Sequence, residues 1–223
     1  LTLLIITQDG QIIAARDKMG RLPVLIGKSD DGFCISFESF AYHKLGYRDE
    51  YELGPGEIVL VNPDEYRTIS PAGDKMKICA FLWVYYGYPN SNYEGVNVEV
   101  MRYRNGAIMA RDEAATGGVP ELDYVAGVPD SGVPSALGYA FESGIPYADG
   151  IVKNRYVGRT FIEPTQAMRQ LGIRLKLNPL RSVIEGKRLV VIDDSIVRGN
   201  TSKKLVQMLR DAGAAEGHPR IVR

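Results

Sequence analysis

The chain is short of cysteine, short of histidine and without net charge, and each shortage removes a class of function. Two cysteines, Cys34 and Cys79, in 223 residues are too few for a disulfide framework and do not form a Cys-x-x-Cys metal pair. A reducing cytoplasm is the default compartment. His43 and His218 stand apart in the sequence, so neither a zinc site nor a Cys/His nucleophilic pair can be assembled from neighbours. Lys and Arg total 27 against 27 for Asp and Glu, which leaves no overall field to recruit nucleic acid or anionic lipid. Any recognition of phosphate must therefore be local. The opening Leu1-Thr2-Leu3-Leu4-Ile5-Ile6-Thr7 lacks a basic leader and runs into Gln8-Asp9-Gly10-Gln11, so it reads as a hairpin strand and not as a signal peptide. With 45% apolar and 24% charged residues, the chain fits a globular protein of one large or two small domains, neither disordered nor membrane-spanning.

The pattern changes near residue 78. Before it, short apolar strands over 3–7, 11–15, 23–26, 33–37 and 57–61 are separated by turn chemistry at Asp9-Gly10, 27–32 and Gly54-Pro55-Gly56. This predicts a mostly antiparallel first domain, 1–77, with one helix over 37–45 ended by Gly46. After it, strand and helix alternate as in a doubly wound parallel sheet, giving a second domain over 78–223. The expected elements are a strand over 78–86, a helix over 97–114, a strand over 124–128, a helix over 135–142 and a strand over 189–192.

The last strand carries the strongest functional signal. Leu189 to Ile192 read as a buried parallel strand, and Asp193 and Asp194 follow at its carboxyl end, where open α/β sheets bind ligands. The loop Ser195-Ile196-Val197-Arg198-Gly199-Asn200-Thr201-Ser202 then opens onto a helix over 203–210 that stops near Gly213. Free backbone N–H groups and short hydroxyls at a helix start form a phosphate cradle. Adjacent carboxylates beside such a loop suit ribose hydroxyls, a hard cation such as Mg²⁺, or both. An Asp-Asp turn alone is also an ordinary helix cap, but strand, acid pair, small-residue loop and helix occur here together and in order. The run resembles the phosphoribosyl pyrophosphate (PRPP) signature of type I phosphoribosyltransferases.

A second loop repeats the theme. Pro129-Asp130-Ser131-Gly132 follows the strand at 124–128, and its short residues would let backbone N–H groups approach a pyrophosphate while 195–202 holds a 5′-phosphate. Seen by itself, Pro-Asp-Ser-Gly is a common turn composition. Between the loops, residues 151–164 interleave Lys153, Arg155 and Tyr156 with Gly and Pro, either as a lid over an anionic substrate or as a solvated basic connector.

Taken in order, 129–132, Gly144-Ile145-Pro146-Tyr147, 153–162, Lys176-Leu177-Asn178-Pro179 and 193–199 resemble the amidophosphoribosyltransferases, the glutamine PRPP amidotransferases that open purine synthesis. Upstream, Arg16-Asp17, Ser36-Phe37-Glu38-Ser39 and Pro55-Gly56-Glu57-Ile58 extend the resemblance over nearly the whole chain. It implies the C-terminal part of an N-terminal-nucleophile glutaminase, an α+β sandwich, followed by a type I phosphoribosyltransferase α/β domain. It also implies formation of 5-phosphoribosylamine from PRPP and glutamine-derived ammonia. PRPP would contact Asp130, Ser131, Gly132, Asp193, Asp194, Ser195, Arg198, Gly199, Asn200, Thr201 and Ser202. Mg²⁺ would be held by Ser131, Asp193 and Asp194, with Lys153, Arg155 and Tyr156 as the lid. Purine nucleotides are the implied feedback inhibitors and a homo-oligomer the implied assembly.

The resemblance has departures. Its glutaminase needs a cysteine at the mature N-terminus, whereas this sequence begins with Leu1, so an internal fragment is expected that supports at most PRPP binding or ammonia-dependent synthesis. Asn200 stands where the family usually has Thr, and the segment from Cys79 lacks the family's acid and its Arg-Pro-Asp loop. Cys79 falls where iron–sulfur members have one of four cluster cysteines; one thiolate cannot hold a [4Fe–4S] cluster alone, so a cluster belongs only to a full-length parent. Both Cys34 and Cys79 are otherwise expected to be buried apolar residues. Another type I phosphoribosyltransferase and a non-catalytic PRPP-binding regulator are the alternatives.

Overall fold

The computed structural model describes residues 1–117, 121–156, 176–196 and 199–222, apart from the side chains of Asn200 and Thr201. It falls into two compact units, Leu1–Glu99 and Val100–Arg223. The change of pattern near residue 78 thus lies inside the first unit.

In the first unit, β1 (Leu3–Ile6), β2 (Ile12–Ala15), β3 (Leu25–Ser29) and β4 (Gly32–Ser36) lead to a short helix, α1 (Ser39–His43), and then to β5 (Arg48–Glu52), β6 (Ile58–Val61) and β7 (Tyr66–Ser70). They form two antiparallel sheets, ordered β1-β2-β6-β7 and β4-β3-β5. Ala14, Val59 and Val61 of the first sheet share a buried cluster with Val24, Ile26 and Leu53 around the second, so the sheets meet face to face as a sandwich. Sequence reading missed β5 and β7 for one reason. Both are edge strands rich in polar residues, with mostly exposed side chains, so neither presents the alternating apolar pattern.

The strand expected over 78–86 is not one. Leu82–Tyr86 forms a π-helical turn in which the neighbours Leu82 and Trp83 are buried while Phe81, Tyr85 and Tyr86 are exposed. A continuous apolar run carries no periodicity to separate strand from helix, and here adjacent residues are buried where a strand facing one side would bury alternate ones. Trp83 Nε1 donates to the Val96 carbonyl at 3.0 Å, tying the turn to the hairpin of β8 (Asn92–Tyr93) and β9 (Val96–Asn97). That hairpin is in turn fastened to the sandwich. Ser91 Oγ donates to Glu38 at 2.5 Å, and the Asn92 N–H donates to Ser39 Oγ at 3.0 Å.

This unit also buries a charge, Arg16, whose side chain is fully buried. It donates to the Leu22 carbonyl at 3.0 Å, the Gly20 carbonyl at 2.9 Å, the Leu53 carbonyl, and Glu94 at 2.6 Å. Glu52 accepts the Glu94 N–H at 2.9 Å, which brings a second carboxylate to the cluster. Burial, and then the charge of Glu94, push Glu52 up to about 7. The folded state therefore keeps a proton that the unfolded chain releases in the ordinary glutamate range, and stability falls as pH rises from that range to about 7, then levels off. Urea unfolding followed by Trp83 fluorescence should show this slope in the wild type and a shallower one in Glu52→Gln; an unchanged slope would remove Glu52 as a source of it.

The second unit is built on a parallel sheet. The long helix α2 (Val98–Ala115) runs into it and is followed by β10 (Tyr124–Gly127), α3 (Val133–Ser143), β11 (Ile151–Lys153) and β12 (Leu177–Pro179). After a helical turn at Arg181–Ile184 come β13 (Arg188–Asp193), α4 (Asn200–Asp211) and β14 (Glu216–Ile221). The sheet order is β10-β13-β14, all parallel, with Val125 also bridging Tyr147 in parallel sense. β14 escaped the sequence reading because Pro219 interrupts it, which an edge strand tolerates. Leu189 and Val191 of β13 pack with Leu205 and Leu209 of α4 and with Val128, Ile151, Leu177 and Ile184. Among the described residues no helix is long and apolar enough to cross a membrane.

Helices α2 and α3 cross on glycine. A Cβ on Gly106 would strike the Ser135 carbonyl, and one on Gly138 would strike the Tyr103 carbonyl, so neither position has room for a methyl group. Ser135 Oγ donates to the Arg102 carbonyl at 2.9 Å in the same buried seam. Gly138→Ala should cost about 1–3 kcal/mol in denaturant unfolding, the usual penalty of overpacking. Gly217→Ala, where the added carbon meets nothing within 4 Å, should be neutral or stabilising. Equal losses would argue against the close crossing.

Candidate functional site

The site forms because β10 and β13 are parallel neighbours in register, Gly127 beside Ile192. Their carboxyl ends therefore release two loops side by side. The Val128 N–H donates to the Ile192 carbonyl at 2.8 Å and the Gly132 N–H to the Val128 carbonyl at 3.0 Å, which folds 129–132 back across the end of β13. A Cβ on Gly132 would lie 2.5 Å from the Ile192 carbonyl oxygen and 2.9 Å from that of Val128, so only glycine fits this approach. The Pro129–Asp130 peptide is cis.

Across this contact Ser131 Oγ donates to Asp194, joining the first loop to the second. Ser195 Oγ donates to the other carboxylate oxygen of Asp194 at 2.6 Å, and the Asp194 N–H donates to Asp193 Oδ1 at 2.9 Å. Asp194 is buried, and Asp193, half-buried at the end of β13, shares a narrow cleft with Ser202, Leu205, Val206 and Ile221. Burial, and then the charge of Asp194, push Asp193 up to about 6. Two carboxylates are thus concentrated at one strand end, where two hydroxyls and one backbone N–H donate to them. Gly199 caps α4, whose Lys203 N–H donates back to the Gly199 carbonyl at 2.9 Å.

Of the residues expected in the lid, Lys153 is placed by β11 and forms an ion pair with Asp130. Arg155 and Tyr156 follow it as exposed residues, Tyr156 completely so. Residues 157–164 of that segment and Arg198 lie outside the described residues, as do the side chains of Asn200 and Thr201. The Lys153–Asp130 pair went unseen in sequence reading, which assigned the two residues to separate elements. The only signal was opposite charge on two segments placed over the same anion.

Among the described residues no three His, Cys, Asp or Glu side chains gather as a metal-binding group. Asp193 and Asp194 with the Ser131 hydroxyl nonetheless fit Mg²⁺, which is commonly held through one or two carboxylates with its other positions left to water and substrate phosphates. The cysteines depart from expectation. Cys79 is exposed, since it lies before the π-helical turn and not within a core strand, and Cys34 is only half-buried on β4, where burial still pushes its thiol up. The chain's two cysteines supply too few thiolates for a [4Fe–4S] cluster.

No family model matches the chain. Known proteins do. It is 47% identical over 213 residues to an amidophosphoribosyltransferase of Mycobacterium bovis, a match covering 96% of this chain and 40% of that protein. It is 42% identical over 218 residues to that of Bacillus subtilis, covering 97% of this chain and 45% of the relative. Among solved structures, the B. subtilis glutamine PRPP amidotransferase complexed with ADP and GMP superposes with a TM-score of 0.87 at 42% identity, over 99% of this chain and 48% of that one. A structure described as the allosteric regulatory enzyme of purine biosynthesis gives a TM-score of 0.83 at 42% identity, over 95% of this chain and 45% of that one. The chain thus spans less than half the length of these relatives.

The parallel sheet of the second unit, with a helix following β10 and another following β13, is a type I phosphoribosyltransferase fold, preceded by an antiparallel sandwich. Sequence and fold together show that the chain belongs to the amidophosphoribosyltransferase family, a group of glycosyltransferase enzymes.

The acid pair is held at a cost to stability. Asp193→Asn removes a half-buried charge beside Asp194, and above pH 7 should raise the unfolding midpoint by about 2–4 °C for each kcal/mol of repulsion relieved. Differential scanning calorimetry without ligand checks this; a lowered midpoint would mean that the ionised Asp193 is held by favourable contacts.

Proposed function

We propose that the chain carries the PRPP site of an amidophosphoribosyltransferase and forms 5-phosphoribosylamine when ammonia is supplied. The supporting observation is the Ser131–Asp194 contact, which unites an acid pair and a glycine-bearing loop at adjacent strand ends. Loop 129–132 takes the pyrophosphate, the loop from Ser195 to Ser202 takes the 5′-phosphate at the start of α4, and Asp193 and Asp194 face the ribose hydroxyls. Asp193, Asp194 and Ser131 would hold Mg²⁺, which when bound would supply charge neutralisation for the pyrophosphate. Lys153, with Arg155 and Tyr156, adds positive charge and cover.

The nitrogen lone pair of ammonia forms a bond to C1 as the C1–O bond to pyrophosphate breaks, and the attacking nitrogen then loses a proton to water. The chain's work is positioning and electrostatic stabilisation of the departing diphosphate. No side-chain general base is assigned, because unprotonated ammonia is already a nucleophile. In a longer parent, glutamine would supply the ammonia, Cys79 would offer one thiolate to a [4Fe–4S] cluster where such a parent carries one, purine nucleotides would inhibit, and the assembly would be a cytoplasmic homo-oligomer with no nucleic-acid or membrane partner.

Calorimetry with PRPP and Mg²⁺, followed by pyrophosphate release with ammonium in the same samples, tests the reading. Asp193→Asn/Asp194→Asn should weaken Mg²⁺-dependent PRPP binding by at least about 10–100-fold, the loss typical of a damaged metal site. Unchanged affinity would sink the site assignment. Binding without ammonium-dependent release would make the chain a PRPP-binding regulator.

A further inference from the structure

An anion-binding loop that carries an exposed carboxylate needs explaining. Asp130 lies in the middle of 129–132, with its side chain about three-quarters exposed, and its charge opposes any diphosphate that the loop would receive. Its neighbour Ser131 is turned to Asp194, whereas Asp130 is ion-paired with Lys153. The loop's two polar side chains are therefore committed differently, one to the acid pair and one to a cation.

Lys153 is placed independently of that ion pair. It ends β11, pairs with Leu177 of β12, and is followed by Asn154, whose N–H donates to the Lys176 carbonyl at 2.7 Å. Ile151, two residues earlier, is buried in the core cluster of the second unit. Removing Asp130 would thus release the ammonium without displacing the strand that carries it. An exposed Lys–Asp pair is weak and exchangeable, and a lysine is a point charge on a flexible stem that can serve either of two anions.

We propose that Asp130 is an internal competitor for the diphosphate: its carboxylate holds the Lys153 ammonium at loop 129–132 until an incoming phosphate oxyanion takes the lysine from it. The inference rests on the reading of the site given under Proposed function and adds a regulatory element to it. Asp130 lowers affinity for the diphosphate but keeps the lysine within reach, and by recapturing Lys153 it favours release of pyrophosphate after reaction. No bond is made or broken in the exchange; one counterion replaces another.

Inorganic pyrophosphate is the probe, titrated calorimetrically with and without Mg²⁺ into the full chain, Asp130→Asn, Lys153→Ala and the double variant, each checked for folding by circular dichroism. Asp130→Asn should tighten pyrophosphate by about two- to five-fold, the range expected for freeing one partner of an exposed pair. Lys153→Ala should weaken it, and Asp130→Asn should have no effect when Lys153 is absent, since the coupling runs through that lysine. Equal tightening in both backgrounds would reveal plain charge repulsion and overturn the proposal. Weakening by Asp130→Asn would make Asp130 a ligand of the bound group and overturn it too, as would absence of pyrophosphate binding in every variant. Loss of PRPP binding with the pyrophosphate cycle intact would instead overturn the proposed function alone.

Discussion

The contact on which the second unit depends is the approach of loop 129–132 to the carboxyl end of β13. It is set by backbone geometry: β10 and β13 run parallel in register, the Val128 N–H reaches the Ile192 carbonyl, and Gly132 leaves that carbonyl unobstructed. From this follow the Ser131–Asp194 bond and the convergence of two loops that lie 63 residues apart in sequence. Because β13 is held against α4 by a buried core of Leu189, Val191, Leu205 and Leu209, the site's geometry rests on packing as well as on its own polar contacts. A rigid sheet and helix pair can hold groups that repel one another, and here it does.

The cost of that placement falls on Asp193. Asp193 is pushed up to about 6 by burial and by its neighbour, so at neutral pH the folded chain carries a carboxylate in a place that disfavours it. The chain as a whole is neutral, with 27 basic and 27 acidic residues, and local arrangement decides what each loop attracts. At one strand end two acids accumulate; a few residues away the Lys153–Asp130 pair is locally neutral. A ligand with a cation at one end and phosphate oxyanions at the other would meet both demands. Sites that are uncomfortable when empty are the usual place for such a trade between stability and binding.

The sequence made the site more legible than the sandwich. Asp193 and Asp194 were readable because a four-residue apolar strand points directly at them, and 129–132 because its composition repeats the theme after another strand. What could not be read was the pairing of distant charges, Lys153 with Asp130, and Arg16 with Glu94, because partners set by tertiary packing leave no local trace. The aromatic run at 78–86 misled for the opposite reason: its propensity favours a strand, but Leu82 and Trp83 are buried side by side in a π-helical turn held by Val96. Polar edge strands β5 and β7 were silent because they bury little. Several motif residues that carried the family resemblance upstream prove to have structural work in the sandwich. Asp17 accepts the backbone N–H groups of Met19 at 3.0 Å and Arg21 at 2.8 Å, and Glu57 accepts from Gly54 N–H at 2.8 Å and Tyr51 Oη at 3.0 Å.

Two acidic clusters, one in each unit, show how differently a pair of carboxylates can be accommodated. Glu52 and Glu94 meet around a fully buried arginine whose guanidinium also satisfies three backbone carbonyls, so opposite charge is built into the fold. Asp193 and Asp194 are met, among their described partners, by hydroxyls and a backbone N–H only. Such donors orient carboxylates without neutralising them. The first cluster has its cation built in, although one oxygen of Glu52 stays buried without a partner, whereas the second, among the described residues, has its carboxylates oriented by neutral donors, an arrangement suited to a cation together with its anionic ligand. The same pairing of acids thus surrounds a buried arginine in one unit and, among the described residues, meets only neutral donors at the strand ends of the other.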